Sequence, residues 1–356
     1  MAAGEALKVR MAGSAAPAAP AEWLDFLDRA GPPAGDGAEI ALRGNVMADL
    51  SRFGLIEVKG EEAGKFLGSM LTGDVRLVSP SQGQFTSWCD GKGRIQATFW
   101  LFMRDGAYYL LLPEELLPGV IARLKMFLLR TKASIGDASA ALARIGLSGA
   151  GIAEALGSAL PAQRGETAVI GDCTLVALGD EPRPRWLAVG SPEAVIALWE
   201  KLEPAVTPAG TGAWALLDVL AGIPHVATET AGEFIPQMLD LEALGGLSYK
   251  KGCYPGQEVI ARLHYRGQLK RKAYLAYADG PELPAPGTKL YRPGFDESVG
   301  LVVSAAKDGR EHGFALLAVV VIEQKPLGEI RLGSAEGPAL VFADQDELVP
   351  TSDAGC

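Results

Sequence analysis

Residues Lys250 to Lys272 read KKGCYPGQEVIARLHYRGQLKRK. Pro255 presets a helical φ and lacks only an N–H that a first turn leaves unpaired, so it is placed to open a helix that Gln257 to Leu263 can continue. Cys253 then falls just before a helix N-terminus, where free amides, the dipole and the neighbouring Lys250 and Lys251 favour a thiolate. Glu258 repels a thiolate, and burial would raise its pKa. The residues alone therefore leave two readings, a reactive thiol or a small side chain packed in a bend. Beyond it, Arg262, Arg266, Lys270, Arg271 and Lys272 alternate with His264, Tyr265 and Tyr274. Such a stripe fits an anion carrying a flat ring, a short nucleic-acid segment, or a solvated helix face.

The surrounding chain sets limits. Its 356 residues exceed one typical core and predict two or three packed units, and a 48% hydrophobic share supports order over most of the length. No apolar run approaches the roughly 20 residues of a membrane span, and the alanine-rich start lacks the pattern of a secretion signal, so a cytoplasmic protein without membrane contact is expected. The four cysteines, Cys89, Cys173, Cys253 and Cys356, are scattered, and only His225, His264 and His312 accompany them. No metal-ligand set is expected, and single thiols fit a reducing compartment. A net charge of -10 argues against a surface that grips nucleic acid directly, while leaving room for a local basic site.

Residues 1–40 read as a flexible Ala/Pro-rich arm, broken by one short amphipathic helix around Trp23, Phe26 and Leu27. Leu55 to Val58 reads as a strand and Glu61 to Leu71 as a helix burying Phe66, Met70 and Leu71. Ile95 to Met103 and Ala107 to Leu112 form a hairpin through Arg104-Asp105-Gly106. Glu114 to Arg130, Ala194 to Leu202 and Ala213 to Leu220 read as helices. From Thr288, short β-rich runs separated by Gly, Pro and Asp predict a small barrel. The expected divisions are 41–275, an α+β module of two interleaved lobes, 280–345, a β-barrel, and 346–356, a tail.

Longer motifs carry a resemblance. Gly232-Glu233-Phe234-Ile235-Pro236-Gln237, Leu241 to Tyr249 and the opening stretch together resemble the signature of the YgfZ-type folate-binding proteins, which are related to the aminomethyltransferase, or T-protein, of glycine cleavage. Phe66 to Val75 and Cys89-Asp90-Gly91-Lys92-Gly93-Arg94 are similar to further family segments. The resemblance implies an α+β fold, a T-protein-like ring of mixed α/β domains with a C-terminal β-barrel around a folate-sized hole. It implies a monomeric accessory protein that binds tetrahydrofolate or a derivative and supports assembly or repair of iron–sulfur client proteins, including enzymes that thiolate tRNA.

Carried over residue by residue, Cys253 matches the motif cysteine and is the expected working group. Phe53, Trp214, Lys251, Tyr254, Gln257, Glu258 and Arg262 are the expected folate-binding residues. One position departs from the pattern. Where the T-protein and some YgfZ-type proteins carry a glutamate able to pair with pterin N–H groups, this chain has Leu220, and Asp218 two positions earlier is expected to point elsewhere. An aminomethyltransferase and a directly tRNA-modifying protein remain as alternatives.

Overall fold

The computed structural model describes residues 19–33 and 37–343. The run Gly13 to Ala18 and the tail 346–356 lie outside the described residues. Strand β1 (Val46–Asp49) starts one sheet, and the chain then leaves it. Five strands follow in a second sheet, β2 (Phe53–Lys59), β3 (Gln84–Cys89), β4 (Ile95–Arg104), β5 (Ala107–Pro113) and β6 (Ser134–Asp137), in the spatial order β3-β4-β5-β2-β6. The chain returns to the first sheet as β7 (Ala143–Ser148), β8 (Thr167–Ile170), β9 (Cys173–Gly179), β10 (Arg185–Gly190) and β11 (Thr207–Ala209), giving β11-β1-β7-β10-β9-β8.

The third sheet holds β12 (Arg271–Asp279), β13 (Lys289–Tyr291), β14 (Gly300–Lys307), β15 (Gly313–Val321), β16 (Arg331–Leu332) and β17 (Val341–Phe342), in the order β16-β13-β14-β15-β12-β17. It curls into a half-barrel around Leu290, Val302, Leu316 and Val320. Its edges are drawn together by a hairpin in which Leu332 N–H donates to Pro338 O at 2.9 Å and Leu340 N–H to Ile330 O at 2.8 Å. Among the described residues, no helix is long and apolar enough to cross a membrane.

Local chemistry explains the elements. Asp105 and Gly106 both take positive φ, 50° and 77°, the mirror-type turn whose twist matches a two-residue hairpin. The segment read as one helix from Glu114 begins as a tight 3-10 turn, Glu114–Leu116, before the α-helix Leu117–Leu128. Helix Thr211–Leu220 packs on β1 from one side and on β14 and β15 from another, which is why Ala213, Trp214 and every residue from Leu216 to Leu220 are buried. Gly146 on β7 makes this possible, because a Cβ there would collide with the Trp214 indole.

The amphipathic helix expected inside a loose arm is instead a docked element. In helix Ala21–Ala30, Trp23 is 0% exposed and joins Met47, Ile145 and Trp199 in a core beneath the first sheet. Truncating an aromatic so buried costs about 3–5 kcal/mol, more than a freely moving segment would show.

Candidate functional sites

The motif segments that lie far apart in sequence meet in space around Cys253. Asp90 caps the turn before β4, accepting at Oδ1 from Lys92 N–H (2.8 Å) and Arg94 N–H (3.0 Å). Gly93 at its tip packs against Gly256, and a Cβ on Gly256 would overlap the Gly93 backbone. Both glycines have positive φ, 74° and 79°, so the pairing depends on glycine twice. Gly256 also ends the bend, and the helix runs Gln257–Arg266. Pro255 therefore does not open the helix. Cys253 lies four residues ahead of it, outside its first turn, because the left-handed Gly256 breaks the helical path.

Two further segments pin the loop. Thr72 donates its hydroxyl to Gly246 O at 2.7 Å, and its carbonyl accepts from Ser248 N–H at 2.9 Å. Lys251 is buried, with its ammonium donating to Leu71 O and lying 4.8 Å from the Tyr254 ring centre. Burial pushes its pKa down to about 8, only partly opposed by Asp74. Tyr254 is buried as well. The Cys253 thiol is exposed and free of any disulfide, whereas Cys89 and Cys173 are buried, with burial raising their pKa to about 12 and about 11. Next to the loop, His264 stacks on Tyr249 at 3.8 Å, and Tyr265 is 68% exposed. Arg262 and Glu258 are exposed on the same helix, while Lys272 leaves the basic stripe to pair with Asp240 at 3.1 Å.

A different region forms a cleft of about 680 Å³ where the three sheets adjoin. Asp49, Arg52 and Phe53 line it from the β1–β2 connection, Ala215, Asp218 and Val219 from helix Thr211–Leu220, and Ala285, Val303 and Ser304 from the half-barrel. Asp218 is its hub. Oδ1 accepts from Arg185 Nη1 at 2.6 Å, while Oδ2 meets His225 Nε2 at 3.1 Å and Arg52 Nη2 at 3.6 Å. Burial opposes the negative charge, yet His225, Arg185 and Arg52 together outweigh it and hold the carboxyl below its usual range. Arg144 is buried below and donates to the carbonyls of Phe53 (2.6 Å) and Ser51 (3.1 Å), fixing the connection that carries Arg52.

Of the expected binding residues, only Phe53 lines this cleft. Its ring is 4% exposed, with the Arg52 guanidinium 4.7 Å and His225 4.9 Å from its centre. What meets the cleft is therefore the Arg52 side chain, 35% exposed, more than the Phe53 ring behind it. Trp214 faces Gly146 and Arg185 in the core. Lys251, Tyr254, Gln257, Glu258 and Arg262 belong to the cysteine loop and its helix. Asp218 does not point away, as its helix position was read. It lines the cleft, whereas Leu220 is buried and does not.

Arg52, Arg185 and His225 were absent from that reading. The signal for Arg185 was present, since Asp218 interrupts the apolar run WALLDVLAG and Arg185 opens the fully buried strand RWLAVG. Opposite charges inside apolar runs mark a buried pair.

No protein-family model matches the chain. It is 34% identical over 230 residues to the tRNA-modifying protein YgfZ of Colwellia psychrerythraea, covering 64% of this chain and 70% of that one. It is 32% identical over 310 residues to the tRNA-modifying protein YgfZ of Photobacterium profundum, covering 86% and 89%. Among solved structures, the glycine cleavage system aminomethyltransferase T of Bartonella henselae superposes with a TM-score of 0.68, over 88% of this chain and 89% of that one. At 15% identity this last likeness establishes the fold.

Proposed function

Since the chain belongs to the YgfZ family of tRNA-modifying proteins, we propose that it serves tRNA modification as a cytoplasmic folate-binding accessory factor, with the three-sheet cleft as the folate site and Cys253 as the group that works on iron–sulfur client proteins. The observation that carries the reading is the Arg52–Asp218–His225 cluster set in a cleft with both apolar and polar walls. A volume near 680 Å³ falls within the range of small-molecule sites, roughly 300–1,000 Å³. Ser304 lies in its wall, with a hydroxyl that is buried and has no hydrogen-bond partner among the described residues.

When bound, a tetrahydrofolate supplies a carrier of one-carbon units. The protein's own contribution is recognition. Arg52 offers a planar cation on which a pterin ring can stack and with which a carbonyl or carboxylate can pair, while Asp218 holds that cation in place. Pro284, Pro286, Val226 and Val303 supply apolar walls.

Asp218 itself is not placed to act in one-carbon transfer. That reaction needs an acid or base free to exchange a proton beside the folate nitrogens. Both oxygens of Asp218 are engaged by cations, and Leu220 brings no carboxylate to the cleft. The exposed Cys253, on a loop outside the cleft, supports a separate encounter with a client protein.

The test is restoration of tRNA thiolation in a bacterium lacking its own YgfZ relative, read as thiolated nucleosides by mass spectrometry. The wild type is expected to restore them, and Cys253→Ala and Arg52→Ala to fall short. Full restoration by Cys253→Ala removes the thiol from the account, and failure of the wild type overturns the family-based role.

A further inference from the structure

Helix Ala21–Ala30 lies apart from both candidate sites, yet one of its side chains reaches the cleft wall. Trp23 is clamped by Trp199 in a T-shaped contact at 5.5 Å and by Phe26 stacked at 5.5 Å. Its indole N–H donates to Asp49 Oδ1 at 2.8 Å. The same oxygen accepts from Ser51 N–H at 3.1 Å and from the Ser51 hydroxyl at 2.7 Å. Strand β1 ends at Asp49 and β2 begins at Phe53, so residues 50–52 are the whole connection, and Asp49, Ser51, Arg52 and Phe53 all line the cleft.

The connection is thus gripped from two directions. Arg144 takes its carbonyls, and Asp49 takes its N–H and hydroxyl donors. Arg144 is anchored in the core, but the orientation of the Asp49 carboxylate is set by what binds its Oδ1. Among the described residues, Trp23 is a donor to that oxygen from outside the connection itself. Removing its N–H leaves Asp49 Oδ1 held only by Ser51, a residue of the connection itself, so the turn holding Arg52 loses its tie to the N-terminal helix and gains conformations that binding must then freeze.

We propose that Trp23 is a positioning residue for the cleft, acting through Asp49, so that the N-terminal helix sets the affinity of a ligand it does not touch. This rests on the reading of the cleft as a folate site. Trp23→Phe keeps the aromatic packing and deletes only the donor. In calorimetry of the full chain with 5-formyltetrahydrofolate, it should weaken binding about three- to tenfold, the worth of one hydrogen bond. If the effect runs through Asp49, the double variant Trp23→Phe/Asp49→Ala loses no more affinity than Asp49→Ala alone. Trp199→Phe, which disturbs the same aromatic cluster without touching the hydrogen bond, should lower the melting temperature and leave affinity unchanged.

Unchanged affinity in Trp23→Phe, or losses that add in the double variant, overturns the proposal. If the wild type binds no folate, the folate reading fails, and the positioning role is decided by amide hydrogen exchange at residues 50–53. Faster exchange there in Trp23→Phe upholds it, and unchanged exchange refutes it.

Discussion

The cleft and the cysteine loop each hold a buried charge, Asp218 and Lys251, and they deal with it in opposite ways. Asp218 is surrounded by Arg185, His225 and Arg52, so its charge is matched and its carboxyl stays ionised. Lys251 is held by a neutral carbonyl and an aromatic ring, with Asp74 acting only from a distance, and its pKa falls to about 8. A matched carboxylate stays ionised through neutral pH and makes a rigid wall. An unmatched one makes a pin that loosens or tightens as it titrates. The comparison predicts that the two regions fail separately and respond differently to pH.

The largest effect is expected from Asp218→Ala. It strands Arg185, which has 0% side-chain exposure, without its carboxylate, and loss of one partner of a buried pair costs about 3–5 kcal/mol. Denaturant unfolding measures it, and a cost under about 1 kcal/mol would mean that Asp218 is not the hub. Gly256→Ala comes next. Its new methyl would overlap Gly93 at a φ of 79°, a strain of about 1–3 kcal/mol, with folate binding by the cleft retained. Loss of binding along with stability would join the two regions into one.

A smaller effect separates them by pH. The folded pKa of Lys251, about 8, lies below the unfolded value of about 10.4. Between these the unfolded chain holds the extra proton, so stability rises with pH across that interval, by about 1 kcal/mol per pH unit. Thermal unfolding of Lys251→Met should lack this slope. Asp218, with its pKa lowered, contributes a constant amount over the same range, and its contribution disappears only in acid. The smallest expected effect is that of Cys253→Ala on stability. The thiol is exposed, so the change stays within about 0.5 kcal/mol while tRNA thiolation drops. A large destabilisation would return Cys253 to the role of a packing residue.

What the sequence reveals follows the range of the interactions involved. The Asp105-Gly106 turn, the apolar face of Ala63–Met70 and the short strands of the half-barrel are local patterns, and the chain displays them. Phe53 and Cys253 are legible through motifs. The hub of the cleft is not, because Asp218 meets Arg185 across 33 residues and Arg52 from another strand connection. Periodicity assigns Asp218 a position on a helix but cannot show that this helix is packed on two sides, so its second face also reaches a cleft. Pro255 misleads for a local reason. The left-handed Gly256 after it delays the helix to Gln257 so that the loop can meet Gly93. The docking of Trp23 depends on Trp199 and Asp49, which no spacing rule connects.

We propose that folate and thiol occupy separate sites. Its most direct test is hydrogen exchange by mass spectrometry on the wild type, with and without saturating 5-formyltetrahydrofolate. Protection is expected at residues 49–53, 211–227, 283–286 and 303–305, with none at 246–257. Protection confined to 246–266 would contradict it and move the folate to the cysteine loop.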